Sequence, residues 1–526
     1  MSSRGGSIIN SASIIGLRVA CQVSAYATSK AGIVELTKAL TLEWARYQIR
    51  DHALCPGYLE TFFNKAILES EAGPVLIRRI PQRRLGQLSD LDAPLLLLAS
   101  DASAYMTGSV LVVDGGHSVS SLHDYLDFTI SPEIDVLRDR IARFVDQDVL
   151  PVEADRSTWD QHENIGDGAL QTLRRKARQE GLWCLQLSPE AGGLGLSKVG
   201  MAVCYEVMNR SIFGPVVFNS AAPDDGNMMV LEKLGTAEQK TRWLAPLADG
   251  AVRSAFAMTE PAPGSGSDPG MMQTWARRDG DDYVIEGTKW FITGAEGAAH
   301  FILIARTSED TRRGHTAFLF HCDDPGWEII RRIPIMGPEE HGGHCELKFN
   351  GLRIPKENIL LEEGRGLKVT QTRLGPARLT HCMRWLGLAK RCVEIASEYA
   401  VRREGFGMRL AERESVQMML GDLAMQIEVG RMLVMKAAWE IDRGGFAQRE
   451  VSMAKIQVAN LLSKAADVAI QINGARGYSK DTILEWIYRY ARQARLVDGA
   501  DEVHKMVLNR YLEKEGKDFW KWEVGE

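Results

Sequence analysis

Hydrophobic and polar positions follow three regimes along this chain. Over the first 120 residues short apolar runs alternate with helically spaced ones. Gly6–Ser13 reads as a buried strand entering a polar turn, Tyr26–Leu40 as a helix, and Ile49–Gly57 as a second strand closing on a turn. A helix at Asp90–Leu98 and a strand at Ser109–Gly116 follow. This alternation is α/β. Between Gly116 and Phe128 the pattern breaks at a short polar linker. Ser131-Pro132-Glu133 then opens a helix with Pro in its first turn. Helical spacing continues over 133–150, 168–180 and 198–210, and restarts at Gly235–Leu244. There the period switches from 3.6 to 2: Asp282–Gly287, Lys289–Thr293, His300–Ala305 and His315–Phe320 predict short strands of a small β-barrel or sandwich. From Leu367 to about Leu512 the spacing is helical again.

One interruption in that last stretch carries candidate chemistry. The amphipathic pattern from Thr482 to Arg495 stops at Val497-Asp498-Gly499 and resumes at Asp501. A carboxylate fixed in a bend serves as a general base where an apolar pocket tunes its pKa. An Asp before Gly is also ordinary turn chemistry, and Asp498 serves equally as a helix cap on this reading.

Composition narrows the classes. At 526 residues the chain predicts three or four domains. Hydrophobic residues make up 45% and charged ones 25%, as in ordinary soluble proteins. The net charge of −6, without a basic stripe interleaved with aromatics, excludes nucleic acid as the expected partner. No apolar run approaches the ~20 residues of a membrane helix; the longest, Pro94–Ala99, reads as a core segment. The start lacks an apolar signal region. Eight cysteines without a Cys-x-x-Cys pair suggest neither zinc nor a disulfide framework, and a reducing, cytoplasmic setting is expected. His381, His504 and the His341/His344 pair match no three- or four-ligand spacing; they read as solvated loop residues, and no metal is expected.

Ser13, Tyr26 and Lys30, the Pro56-Gly57 turn and the Val113-Asp114-Gly115-Gly116 ending resemble the short-chain dehydrogenase/reductases. The resemblance implies a lysine lowering the tyrosine's pKa for proton exchange with a carbonyl or alcohol. It covers residues 1–118 and only the later half of that fold, a truncated Rossmann-like α/β segment. The glycine-rich phosphate turn has no counterpart, so nothing cradles a pyrophosphate. Asp51-His52 stands where such proteins usually carry an apolar residue and asparagine. The expectation is a remnant with open strand edges; the alternative is an NAD(P)-linked alcohol or carbonyl oxidoreductase using Ser13, Tyr26 and Lys30.

After a linker at 119–127, the remainder resembles the acyl-CoA dehydrogenase family. The motifs, in order, are Ala255–Pro261 leading to Ser265–Asp268, Gly287–Gly294, Tyr399–Gly407, Gln471–Tyr478 and Asp498-Gly499. The resemblance implies an N-terminal α domain (128–252), a β-barrel domain (253–364) and a C-terminal four-helix bundle (365–526). It also implies FAD and α,β-desaturation of an acyl-CoA thioester in fatty-acid β-oxidation. Asp498 would take the α-proton while hydride leaves for flavin N5. Its backbone N–H and a ribityl hydroxyl would polarise the thioester carbonyl. Most relatives carry the longer glutamate there; Ala377, where some place the base, cannot serve.

By the same resemblance Met258, Thr259 and Thr293 would contact the flavin, and Phe291 stands where a tryptophan usually stacks. Ser267 would face the pyrophosphate or the pantetheine. Arg403 suits pyrophosphate and Phe406 the adenine. Gln471 and Gly474 would meet the cofactor of a neighbouring subunit, implying a homodimer or homotetramer. Ala475, Ala500 and Glu502 depart from the usual residues around the adenosine. Val497 and Gly499 would border the substrate, Val497 leaving room for branched acyl groups, and Arg378 would lie near the thioester or form a structural ion pair. An electron-transfer flavoprotein is the expected acceptor. A flavoprotein oxidase on this fold, including the nitroalkane type, is the alternative.

Overall fold

Three parallel strands, β1 (Gly6–Ser11), β2 (Ile49–Pro56) and β3 (Val110–Val113), form the first sheet in the order β1-β2-β3. β2 is paired on both sides and nearly all buried, whereas β1 has β2 as its one neighbour among the described residues and is half-buried, not the buried strand expected. Helix α1 (Ser24–Trp44) packs Val34 against Ala12, Ala53 and Cys55. In helix α2 (Asp92–Ala99) Leu98 alone is buried; Leu95, Leu96 and Leu97 are exposed, so this run is not a core segment. Eight residues give a helix about two turns, enough to bury one stripe and no more.

The computed structural model describes residues 5–18, 23–61, 73, 76–77, 80–119, 130–310, 313–339 and 341–520. Most of the expected linker lies outside these residues. Packing divides the chain into two compact units, one ending at Tyr125 and one over Leu126–Glu523.

The second unit opens with helices. Ser131 caps α3 (Pro132–Phe144) by accepting from the Ile134 N–H at 3.4 Å. A π-helical turn, Val145–Val149, carries it on to Leu150–Ala154. Helices α4 (Asp167–Gln179), α5 (Lys198–Met208) and α6 (Asp224–Leu234) follow. The β segment contains β4 (Ser254–Ala257), β5 (Trp275–Asp279), β6 (Asp282–Thr293), β7 (His300–Arg306), β8 (His315–His321), β9 (Trp327–Arg332) and β10 (His344–Pro355). They form one seven-stranded sheet in the order β4-β7-β5-β6-β10-β9, with β8 also on β7. Among the described residues β9 pairs with neither β4 nor β8, so the sheet is a curled layer and not the closed barrel or sandwich expected. The two strands expected at 282–287 and 289–293 are the single strand β6.

Helices α7 (Gly366–Arg402), α8 (Glu414–Asp442), α9 (Gln448–Asn473), α10 (Leu484–Ala494) and α11 (Asp501–Glu515) complete the unit. Ile141, Tyr205, Met383, Leu423, Leu462 and Ile487 share one core that binds α3 and α5 to these helices. Each such side chain contributes roughly 1.5–3 kcal/mol on burial. α7 matters most for the site. Thr370, Arg373, Ala377, His381 and Trp385 recur at three- and four-residue spacing along one face, and all line the same cleft.

Candidate active site

Between the curled sheet and the last helices lies a cleft of about 930 Å³. Met258, Thr259, Ser267, Trp290, Phe291 and Thr293 line it from the sheet side, and Arg378, Val497, Asp498 and Gly499 from the helical side.

The bend between α10 and α11 presents its carboxylate to this cleft. Asp498 and Gly499 both take positive φ, 53° and 103°. Asp501 closes the bend: its N–H donates to Arg495 O at 3.2 Å, and its Oδ2 accepts from Arg495 Nε at 2.8 Å and Asn460 Nδ2 at 3.0 Å. The N-cap of α11 is Ala500, with no side-chain hydrogen bond, so Asp498 is not a helix cap.

Two cations hold the backbone beneath that carboxylate. Arg378 Nε donates to Asp498 O, and Lys455 Nζ to Gly499 O, each at 2.7 Å. Lys455 is wholly buried in α9. His504, hydrogen-bonded through Nδ1 to Ser452 Oγ at 3.1 Å, lies so close to the bend that a Cβ on Gly499 would come within 3.2 Å of its Nε2. Burial, with Arg378 and Lys455 nearby, pushes the His504 pKa down to about 4.

Burial on its own would raise the pKa of the Asp498 carboxyl. The contact from His381 and the charges of Arg373 and Arg378 outweigh it and hold the group well below the usual carboxylate range. His381 Nε2 stands 3.4 Å from Asp498 Oδ2. The site thus keeps an ionised carboxylate in a mostly apolar cleft, which is the requirement for a base. His381, His504 and His344 are buried side chains lining this cleft, not solvated loop residues. A helix face or strand with one polar position in an apolar register turns that position inward with the rest.

On the sheet side a bulge sets the surface. Cys345 pairs with Ile292 and Leu347 with Lys289, so Trp290 and Phe291 together oppose Glu346. The extra residue puts Phe291 at φ 51° and turns its ring out, 43% exposed, with its centre 5.0 Å from Trp290. Thr293 Oγ1 bonds His344 Nδ1 at 3.0 Å. Behind this surface Lys289 Nζ reaches Met258 O and Glu260 Oε1, both at 2.8 Å. Glu260 also accepts the N–H groups of Ser265, Gln273 and Thr274, fixing the loop after β4. Burial pushes Lys289 down to about 8. Among the described residues the cleft atoms Thr370 Oγ1, Trp385 Nε1, Asp498 Oδ2 and His504 Nε2 are buried without a hydrogen-bond partner.

Other candidates lie elsewhere. Arg403 lines a second cavity, of about 630 Å³, with Arg402, Asn473 and Arg476. Phe406, in the hairpin Glu404–Gly405/Met408–Arg409, is fully exposed, and Gln471, Gly474, Ala475 and Glu502 are exposed as well. Ala500 is half-buried beside the bend. In the first unit Lys30 Nζ donates to Ser11 O at 3.0 Å and stands 5.6 Å from the centre of the Tyr26 ring. The Ser13 hydroxyl caps the turn Ile14–Gly16 by accepting from Ile15 N at 3.2 Å. Among the described residues one group of three possible metal ligands clusters: His321, Cys322 and Asp323, consecutive at the end of β8. No helix of the described residues is long and apolar enough to cross a membrane.

Over 406 residues the chain is 38% identical to FadE2 of Mycobacterium tuberculosis, a probable acyl-CoA dehydrogenase; the match covers 75% of this chain and 99% of that protein. The chain belongs to the acyl-CoA dehydrogenase family. Its family models match in order: "Acyl-CoA dehydrogenase, N-terminal domain" over 131–251, "middle domain" over 255–352 and "C-terminal domain" over 364–512. Residues 1–118 match the model "Enoyl-(Acyl carrier protein) reductase". Acyl-CoA dehydrogenase family member 11 of Rattus norvegicus is 39% identical over 382 residues, 69% of this chain and 48% of that protein. Butyryl-CoA dehydrogenase of Megasphaera elsdenii superposes with a TM-score of 0.65 at 27% identity, over 74% of this chain and all of that one. A Mycobacterium abscessus structure assigned to the same dehydrogenases gives 0.70 at 36%, over 74% and 99%. The protein is therefore an oxidoreductase acting on acyl-CoA, with the acyl-CoA dehydrogenase fold of helical domains around a curled sheet.

Sequence reasoning missed Lys455, Lys289, Glu260 and Arg373 as parts of this site, and took His381 for a loop residue. The available signal was periodicity: Lys455 follows Val451 by four and precedes Val458 by three, on the apolar stripe of α9.

Proposed function

We propose that the second unit desaturates an acyl-CoA thioester between its α- and β-carbons, with Asp498 removing the α-proton and FAD as the cofactor. The observation that carries this reading is an ionised, half-buried carboxylate facing the cleft from a bend held by Arg378 and Lys455. FAD, when bound, accepts the β-hydrogen as hydride. The residues present fit it: a bulge that turns Trp290 and Phe291 into the cleft, the Thr293 hydroxyl, and the unpartnered Thr370 hydroxyl. The carbonyls of Asp498 and Gly499 are drawn toward Arg378 and Lys455. The Asp498 N–H donates to no acceptor among the described residues, which suits it to the thioester oxygen. A strongly ionised aspartate is a weak base, so this donor must help acidify the α-carbon.

Arg403, Phe406, Gln471 and Gly474 lie at the far end of α7, α9 and the hairpin, where they would serve the cofactor of a second copy; a homodimer or homotetramer is part of the proposal. An electron-transfer flavoprotein is the proposed acceptor. For the first unit we propose no dinucleotide chemistry, and saturable binding of NADH or NADPH to the whole protein would overturn that.

The decisive experiment is anaerobic titration of the purified yellow protein with a panel of acyl-CoAs. Wild type should bleach near 450 nm with its preferred chain, and Asp498→Asn should keep its flavin without bleaching. A bleached Asn variant would move the base elsewhere. Stoichiometric oxygen consumption during turnover would favour the oxidase alternative.

A further inference from the structure

Resting on the reading of Asp498 as the base, we propose that His381 is its positioning residue: a neutral imidazole that points its Nε2–H at the carboxylate and fixes its aim without taking up the proton.

Geometry assigns the tautomer. His381 Nδ1 lies 3.4 Å from Arg384 Nη2. A guanidinium only donates, so Nδ1 is the acceptor and the imidazole hydrogen sits on Nε2. Arg384 is not free to turn away, since its Nη1 is committed to Asp225 Oδ2 and to Ser220 O, both at 2.7 Å and all buried. The ring is held in plane by stacking on Trp385, centres 5.1 Å apart at 21°. Nε2 is thereby directed at Asp498 Oδ2, 3.4 Å away. That spacing exceeds a full hydrogen bond, and Oδ2 has no other partner. A small movement of the bend toward α7 would complete the contact.

The result is a line of four side chains, Asp225–Arg384–His381–Asp498, from α6 through α7 to the bend. Its order decides what the histidine does. A relay would need His381 to receive the α-proton at Nε2 and shed one from Nδ1. With Nδ1 facing a fixed guanidinium, an imidazolium would set N–H against N–H and cation against cation. His381 therefore stays neutral and the proton stays on Asp498. The groups facing Asp498 are Arg373, Arg378 and His381 from α7, Lys455 from α9 and His504 from α11; Arg489 and Arg492 of α10 line the same cleft. His381 alone among them meets a carboxylate oxygen at 3.4 Å.

The test uses flavin-loaded protein, following acyl-CoA-dependent bleaching by stopped flow between pH 5 and 8. Wild type should be flat across this range. His381→Ala should slow by about tenfold or more and acquire an acid limb above about pH 5, because removing a donor to the charged form raises a carboxyl's pKa. His381→Gln, whose amide Nε2 replaces the lost donor, should restore both. An Ala profile as flat as wild type, or a Gln variant no better than Ala, overturns the proposal. Should the Ala variant not fold, ¹⁵N-histidine labelling of the wild type still decides: a Nδ1–H tautomer or an imidazolium at His381 overturns it, and a Nε2–H tautomer supports it. If wild type is bleached by no acyl-CoA, or Asp498→Asn is bleached normally, the base assignment has failed. An unshifted Ala profile with normal wild type sinks the His381 inference alone.

Discussion

Lys455 Nζ meets the carbonyl oxygen of Gly499 at 2.7 Å, a wholly buried ammonium spent on one backbone group beside the proposed base. Hydrogen bonds from charged groups contribute about 1.5–3 kcal/mol, and this one acts on the segment that must hold still. Lys455→Met, of similar volume, should leave a folded, flavin-bound protein whose bleaching by acyl-CoA is about 10²-fold slower, as for a displacement near 1 Å. Stopped-flow reduction alongside a thermal melt separates the two effects. Bleaching at full speed would mean the bend keeps its shape without the lysine.

Asp498→Glu keeps the carboxylate and adds one methylene, yet it should not improve this enzyme. Its extra methylene pushes the carboxylate ~1.5 Å further into the cleft, and glutamate tolerates a φ of 53° less readily than aspartate. A loss of about 10²-fold in bleaching rate with flavin retained is expected. Equal or faster bleaching would show that the bend accepts the longer side chain.

Lys289 and Glu260 form an ion pair with both side chains almost fully buried. Lys289→Met leaves Glu260 charged in the interior and takes the donor from Met258 O, so a loss of about 3–5 kcal/mol is expected. Denaturant unfolding gives the stability, and flavin lost on gel filtration reports the Met258 loop. A stability within about 1 kcal/mol of wild type would contradict the pair's role.

In the first unit His52 is buried with neither ring nitrogen partnered, and burial with the Arg50 charge lowers its pKa below 6.5. As pH falls through 6.5 the unfolded chain takes the proton and the folded one resists, so this contribution, full above about pH 7.5, is lost toward acid. Asp51, pushed up by burial, acts with opposite sign and is common to both proteins. Amide protection in β2 should fall from pH 7.5 to 5.5, and the slope should be shallower in His52→Leu. Equal slopes in the two proteins would refute the assignment.

The order of helices and strands was readable because period alone distinguishes them, and the bend at Asp498 because it interrupts a long amphipathic run. Sheet closure was not, since it depends on which edges pair and not on alternation within a strand. The aim of Phe291 was hidden too: one added residue in β6 reverses the ring, and no composition signal marks it. The polar residues behind the site left a fainter trace. In β6 the inward positions run Tyr283, Ile285 and then Lys289, and a lysine in that register announces a buried partner without naming it. Glu260, 29 residues away, could be joined to it only in three dimensions.

Asp498 lies in the left-handed region, where aspartate and asparagine settle more easily than other side chains except glycine. Charge and shape are thus separable at this one position. Asparagine there would mute the carboxylate while leaving the loop's path undisturbed, giving an inert twin of the enzyme in which an unreacted thioester could be caught in place.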